Sequence, residues 1–152
     1  MRAPTRASPA VGGVLPEGVE FRINTTTLEY ERGIAARSIA RTDDCGFVVV
    51  WESGPFYGDG HRWGVMGQRM SASGAILGTQ FQVNTYTTQY RYKPAVAAAG
   101  NGAFIIVWDS YFDQDDAEHG VFDQRFDATG APALDGTPRV TTGLLIERAV
   151  AA

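Results

Sequence analysis

The densest group of oxygen donors in the sequence is an acidic loop at residues 113–118 (DQDDAE). Its carboxylates belong to Asp113, Asp115, Asp116 and Glu118. Calcium takes about six to eight oxygen ligands, and alternating residues such as Asp113 and Asp115 can face one ion. The spacing of an EF-hand, with its central glycine and distal glutamate, is absent. The pattern favours a solvated acidic loop, and calcium is the one cofactor that these carboxylates suggest.

A second group of residues suits the binding of a sugar. A rigid aromatic ring can stack on a sugar ring while a neighbouring polar side chain hydrogen-bonds the hydroxyl groups, and binding residues concentrate on loops. The candidate ligand-binding residues are Phe56, Tyr57, Asp59, Arg62, Trp63, Tyr90, Tyr92, Tyr111 and Phe112. A glycan is therefore an expected partner. The competing interpretation is that these aromatic rings pack on neighbouring units or on a partner chain.

Acid–base catalysis is the alternative to binding. His61 or His119 can pair with Asp59 or Asp116, and the two carboxylates of a glycoside hydrolase need to be close only in space. However, the sequence has no G-x-S-x-G, H-E-x-x-H or P-loop motif and no His/Cys spacing typical of a metal site. We therefore expect a binding or adhesion module that is not an enzyme. A hydrolytic enzyme domain and a structural spacer or assembly module are the alternatives.

The segments that must hold these loops occur twice along the chain. They are residues 38–40 (SIA) and 95–97 (AVA), 45–53 (CGFVVVWES) and 102–110 (GAFIIVWDS), 64–70 (GVMGQRM) and 120–126 (GVFDQRF), and 21–25 (FRINT) and 81–85 (FQVNT). A degraded third copy of the last segment stands at 138–142 (PRVTT). A period of about 56 to 60 residues is typical of repeat architectures.

Each recurring segment has the pattern of a β-strand. Residues 81–85 alternate apolar and polar side chains, as in a half-buried strand, whereas residues 47–51 and 104–108 are apolar on both sides and need cover on both faces. We predict an all-β fold in which each repeat has four antiparallel strands. The arrangement is β-propeller-like, with two blades plus partial flanking strands, and a β-sandwich is the alternative. The connections at 26–37 and 86–93 are expected to lie at the same end as the aromatic loops.

The predicted domain organisation is a flexible lead-in at residues 1–19 followed by a single all-β repeat domain at residues 20–152. The first unit spans about 26–85 and the second about 86–142, and the start of a further unit occupies 143–152.

The flanking strands are expected to leave open edges, because residues 21–25 complete a preceding unit and residues 147–151 begin a following one. Open edges carry unpaired backbone donors and acceptors. We therefore expect self-association through the open edge strands, and we expect deletion of residues 1–25 to weaken it.

The repeat resembles a family of bacterial secreted or surface proteins whose units read roughly F-x-V-N-T, P-x-V-A, G-x-F-V-V-V-W-x-S and G-V-x-x-Q-R-F-x-A-x-G. The resemblance is carried by Phe81, Val83, Asn84, Thr85, Pro94, Val96, Ala97, Phe104, Trp108, Ser110, Gly120, Val121, Gln124, Arg125, Phe126 and Gly130. The first unit departs from the pattern, with Arg37 in place of the proline and Met70 in place of the aromatic residue. The resemblance implies an extracellular or cell-surface β-propeller-like module, often found beside calcium-binding or adhesive segments, and it transfers no catalytic residue.

Composition and hydropathy argue against nucleic acid as a partner and against a membrane span. With 13 basic and 17 acidic residues the net charge is -4, and no Lys/Arg cluster replaces phosphate counterions, so nucleic acid is not an expected partner. No stretch approaches the roughly 20 apolar residues of a membrane span, and residues 1–13 lack the apolar run of a signal peptide. The one cysteine, Cys45, is expected to be a free thiol beside a strand.

Overall fold

The computed structural model describes residues 20–25, 30–33, 37–54, 63–111, 119–133 and 139–140. These residues form nine β-strands: β1 (Tyr30–Gly33), β2 (Ile39–Arg41), β3 (Phe47–Gly54), β4 (Gly64–Met70), β5 (Ile76–Gln82), β6 (Tyr90–Ala98), β7 (Phe104–Tyr111), β8 (His119–Phe126) and β9 (Arg139–Val140). One 3-10 turn, Gly100–Gly102, precedes β7, and no α-helix is present in this part of the chain. All strand pairs are antiparallel, so the predicted all-β class is confirmed.

The strands form two sheets with the same strand order. In the first sheet β1 and β2 both pair with β3, followed by β4 and β5; in the second sheet the order is β6, β7, β8 and β9. The first sheet thus uses two short strands where the second uses one. The tryptophans occupy equivalent positions, because Trp51 pairs with Met66 and Trp108 pairs with Phe122. The sequence repeat is therefore also a repeat of strand order and register.

Three predicted boundaries were wrong. Residues 21–25 form no strand; at their end the backbone N–H and the hydroxyl of Thr25 both donate to the side chain of Gln80 (2.9 Å each). The predicted connections 26–37 and 86–93 contain β1 and the first half of β6, since their backbone groups pair with the second half of β3 and of β7. The last strand of the first unit, β5, begins at Ile76 rather than at Phe81.

The hydrophobic core lies between the two sheets. The first sheet contributes one face, which we call its inner face: Ala40, Val48, Val50, Val65, Phe81 and Val83. The second sheet contributes its own inner face: Val96, Phe104, Ile106, Trp108, Phe122 and Phe126. Direct ring contacts join the sheets, since Phe81 lies with its centroid 5.1 Å from that of Phe126 and 6.1 Å from that of Phe104.

The two inner faces are not equivalent faces of the repeat. Side chains alternate along a strand, and Val48 corresponds to Ile105, not to its buried neighbour Phe104. Conversely Trp51, the counterpart of the core residue Trp108, lies on the opposite or outer face of the first sheet, outside the shared core. The first sheet therefore contributes one face of the repeat to the core, and the second sheet contributes the opposite face. We call this arrangement head-to-tail packing of the sheets.

Polar contacts fix the same packing at its margins. The carboxylate of Glu52 accepts the backbone N–H of Lys93 (2.7 Å), and the guanidinium of Arg69 donates to the carbonyl of Thr129 (2.7 Å). Arg69 can reach this carbonyl because residue 130 is glycine; a Cβ there would stand 2.9 Å from the Arg69 side chain.

The glutamine that recurs in both units, at Gln68 and Gln124, forms its hydrogen bonds within its own sheet. Gln68 is fully buried beside a β-bulge between β4 and β5, and its amide N–H groups donate to the carbonyls of Arg69 (3.0 Å) and Leu77 (3.1 Å). Gln124 donates in the same way to the carbonyl of Arg125 (3.1 Å). The amide N–H groups are thus paired, whereas the amide oxygens of both glutamines are buried without a hydrogen-bond partner among the described residues.

Candidate functional site

Four aromatic rings meet at one end of the second sheet, and we call them the aromatic cluster: Tyr90, Tyr92, Tyr111 and His119. Tyr90 and Tyr92 are stacked, with ring centroids 5.7 Å apart and planes 9° apart. Tyr111 meets Tyr92 edge to face at 5.3 Å and meets His119 edge to face at 4.4 Å. Such pairs stabilise one another by about 0.5–1.5 kcal/mol each, so the rings form a preordered surface.

Strand register is what brings these rings together. Tyr90 lies opposite Tyr111, and Tyr111 lies opposite His119, so β6, β7 and β8 each contribute one residue to a row across the sheet. Tyr92 joins the same face because it is two residues from Tyr90 on one strand. This face is the outer face of the second sheet, which points away from the first sheet.

Polar groups surround the cluster. Asp109 lies opposite Tyr92 on the neighbouring strand, and its carboxylate is 3.4 Å from the ammonium of Lys93. A surface depression of about 290 Å³ opens beside the rings. Its walls are formed by Asp109, Ser110, Tyr111, His119, Gly120 and Val121. The site thus places a carboxylate, an ammonium and an imidazole within reach of flat aromatic faces.

Burial raises the pKa of Tyr92 above its ordinary value of 10.0; the neighbouring Tyr90 and Glu52 add to the rise, and Arg32 opposes it. The phenol of Tyr92 therefore stays protonated at neutral pH. In that form the hydroxyl can both donate and accept a hydrogen bond, as a sugar hydroxyl requires.

The first sheet keeps only part of this cluster. Tyr30 occupies the position of Tyr90 and Trp63 that of His119, but Arg32 stands where the second sheet has Tyr92, and Gly54 stands where it has Tyr111. Tyr30 is 67 % exposed. The complete cluster is thus a feature of one unit and not of the repeat.

Comparisons with known proteins supply no family. The chain matches no protein-family model, no curated protein and no solved structure.

The structure brings together three of the residues predicted to bind a ligand: Tyr90, Tyr92 and Tyr111. All three lie on strands and not on the loops where they were predicted, because β6 begins at Tyr90 and β7 ends at Tyr111. Trp63 lies apart from them, just before β4. Its ring is 5.0 Å from the guanidinium carbon of Arg32.

The remaining predicted residues lie outside the described part of the chain. They are the ligand-binding candidates Phe56, Tyr57, Asp59, Arg62 and Phe112, the calcium candidates Asp113, Asp115, Asp116 and Glu118, and the acid–base candidate His61. Among the residues that the structure does describe, no three His, Cys, Asp or Glu side chains form a group able to hold a metal ion. Nor does this part of the chain contain a helix long and apolar enough to cross a bilayer.

Sequence reasoning missed Asp109 and Lys93 as neighbours of the rings, and it considered His119 only as an acid or base. One signal was available. The repeat aligns β1 with residues 90–93, and a strand beginning at Tyr90 pairs with the end of β7. That pairing places His119 and Asp109 beside the tyrosines.

Proposed function

We propose that this chain is a non-catalytic binding module and that the aromatic cluster is the surface that binds a carbohydrate. The observation that carries the proposal is the difference between the two sheets. Residues needed by the fold, such as Trp51 and Trp108 or Gln68 and Gln124, are present in both. Tyr92 and Tyr111 are present in one, where the first sheet has Arg32 and Gly54, so packing of the repeat does not account for the complete aromatic cluster.

The chemistry of the site fits a sugar. The exposed edges and faces of the rings offer an apolar platform, while the Tyr92 hydroxyl, the Asp109 carboxylate and the Lys93 ammonium can bond to hydroxyl groups around it. Strands hold these residues more firmly than loops would, which lowers the entropic cost of binding. His119 at the rim of the depression adds a group that both donates and accepts.

We also propose the setting of the module, on the strength of its repeat pattern. The two sheets are consecutive units of a β-propeller-like repeat in an extracellular bacterial protein. Head-to-tail packing of the sheets supports this proposal, because radially arranged blades place one face of each unit on the other face of the next. A two-fold β-sandwich would instead use the same face of both sheets.

A glycan array followed by titration tests the binding proposal. The full chain is screened against immobilised oligosaccharides, and the glycan that binds most strongly is titrated by calorimetry against the wild type, Tyr111→Ala and Tyr30→Ala. Tyr111 contacts two other rings of the cluster, so its loss should weaken binding at least tenfold, or about 1.4 kcal/mol. Tyr30→Ala is the matched control, because it removes an exposed tyrosine from the equivalent end of the first sheet.

The results separate the alternatives. Equal affinity for the wild type and Tyr111→Ala would remove the aromatic cluster from glycan binding, whereas equal losses in both variants would indicate a nonspecific effect. Turnover of glycoside or ester substrates that survives Tyr111→Ala would instead favour a hydrolytic site elsewhere in the chain.

A further inference from the structure

Part of the outer face of the first sheet is more exposed than its counterpart in the second sheet. Ile39 is 57 % exposed, whereas Val96, at the same position of the repeat, is 6 % exposed in the core. Phe47 is half-buried, whereas Phe104 is 1 % exposed. Trp51 on the same face is buried. The exposed part therefore carries apolar residues of the kind that the second sheet buries against a neighbouring sheet.

The outer face of the second sheet shows the complementary difference. Val107 and Val121 are half-buried there. Their counterparts on the inner face of the first sheet, Val50 and Val65, are 1 % and 0 % exposed. The exposed parts of the two outer faces thus carry the counterparts of residues that the internal interface buries.

The counterparts of one polar contact of the internal interface, between Arg69 and Thr129, are both exposed. Arg69 donates to the carbonyl of Thr129 across the internal interface. Arg125 is the counterpart of Arg69, and its side chain is 55 % exposed. Ser73 is the counterpart of Thr129 and is exposed in the turn after β4. An interface built on the internal pattern would bring Arg125 of one copy to the carbonyl of Ser73 of the next.

We propose that two copies of this chain bind each other through these faces, the outer face of the second sheet of one copy packing on the outer face of the first sheet of the other. The contact is heterologous, because its two sides are different surfaces. It differs from the strand exchange expected from the sequence, since faces and not edges pair.

The stacked tyrosines of the aromatic cluster stay accessible in this arrangement. Their equivalents at the internal interface are exposed: Tyr30 is 67 % exposed, and the side chain of Arg32 is 64 % exposed. Glu52 and Gly54, the equivalents of Asp109 and Tyr111, are buried, so the contact between copies covers that side of the site. Sugar binding and self-association therefore share part of the outer face of the second sheet; Ile39→Lys, on the first sheet, tests association without altering the sugar-binding surface.

Sedimentation of the full chain over a wide concentration range tests the proposal. Ile39→Lys places a charge on the outer face of the first sheet, and Val107→Lys places one on the outer face of the second sheet. Each is expected to weaken association at least tenfold, because a charge is desolvated at an apolar contact. Asp43→Lys, in an exposed turn away from both faces, is the control and should associate like the wild type.

Mixing the two face variants tests the direction of the contact. Ile39→Lys keeps an intact second-sheet face and Val107→Lys keeps an intact first-sheet face, so their mixture should form a 1:1 dimer although neither variant associates alone. Circular dichroism confirms that each variant is folded, and Arg125→Ala, which leaves the apolar surface intact, should weaken association severalfold without affecting the fold.

Three results would overturn the proposal. One is a wild-type chain that stays monomeric from micromolar to millimolar concentration. Another is a mixture of the two face variants that forms no dimer, since a two-fold interface cannot be complemented in this way. The third is a loss of association on deletion of residues 1–25 alone, which would favour exchange of edge strands.

Discussion

Truncation of Trp108 tests the architecture most directly. The side chain is 1 % exposed and stacks on Phe122 with ring centroids 6.4 Å apart and planes 22° apart. A buried tryptophan removes about 150–250 Å² from water, worth about 4–6 kcal/mol as an upper bound at about 25 cal/mol per Å². Alanine retains part of this, and Trp108→Ala should cost about 3–5 kcal/mol.

An unpaired polar group on Trp108 moves the expected loss of stability toward the lower end of that range. The indole N–H of Trp108 has no hydrogen-bond acceptor among the described residues. Burying an unpaired donor costs about 1–3 kcal/mol, and truncation removes that cost together with the ring. We therefore expect a loss of about 3 kcal/mol for Trp108→Ala and less than about 1.5 kcal/mol for Trp108→Phe, which keeps a ring and removes the donor.

Urea titration followed by far-ultraviolet circular dichroism measures the loss, because the midpoint shifts with stability at constant slope. Trp63→Ala is the matched control: Trp63 is half-buried and stacks on Arg32, so its loss should cost only about 1 kcal/mol. A Trp108→Ala midpoint equal to that of the wild type would refute the packing of the second sheet against the first.

Three further predictions concern a metal, a turn and an ionisable group. If the acidic loop binds calcium, millimolar calcium should raise the melting temperature relative to chelator, and Asp115→Ala should abolish the rise; identical curves would exclude the metal. Cys45 has a φ of 63°, and Gly102 at the equivalent position has a φ of 79°; both lie in the left-handed region that favours glycine. In urea titration, Cys45→Gly should therefore stabilise the chain by about 0.5–1 kcal/mol, and Gly102→Ala should destabilise it. The Thr129 hydroxyl holds the pKa of Asp127 below its ordinary 3.8, helped by backbone N–H groups. A carboxylate with a lowered pKa in the folded state stabilises the fold above its unfolded pKa, and this stability is lost as the pH falls through the folded pKa. Asp127→Asn should therefore flatten the decline in melting temperature below about pH 4, and an unchanged decline would contradict this.

The sequence by itself determined the repetition of the chain and the positions of most of its strands. Alternation of apolar and polar residues is a local property with a period of two, so it can be read without knowing what each strand packs against. The prediction of a strand at residues 64–70 matches β4, and residues 47–51 and 104–108 lie inside β3 and β7. Turns after these strands were also predictable, because small residues and glycines mark them.

Only the tertiary structure decided which face of each strand is buried and which loop residues belong to strands. Residues 104–108 are apolar on both sides, and the structure buries Phe104 and Ile106 fully but Ile105 only in part, because the first sheet covers one side. The tyrosines 90 and 92 were predicted in a connection, since their strand character depends on pairing with the end of β7 and not on their own pattern. The aromatic cluster follows from that pairing: it joins residues up to 29 positions apart, from Tyr90 to His119, whose contact is set by long-range register.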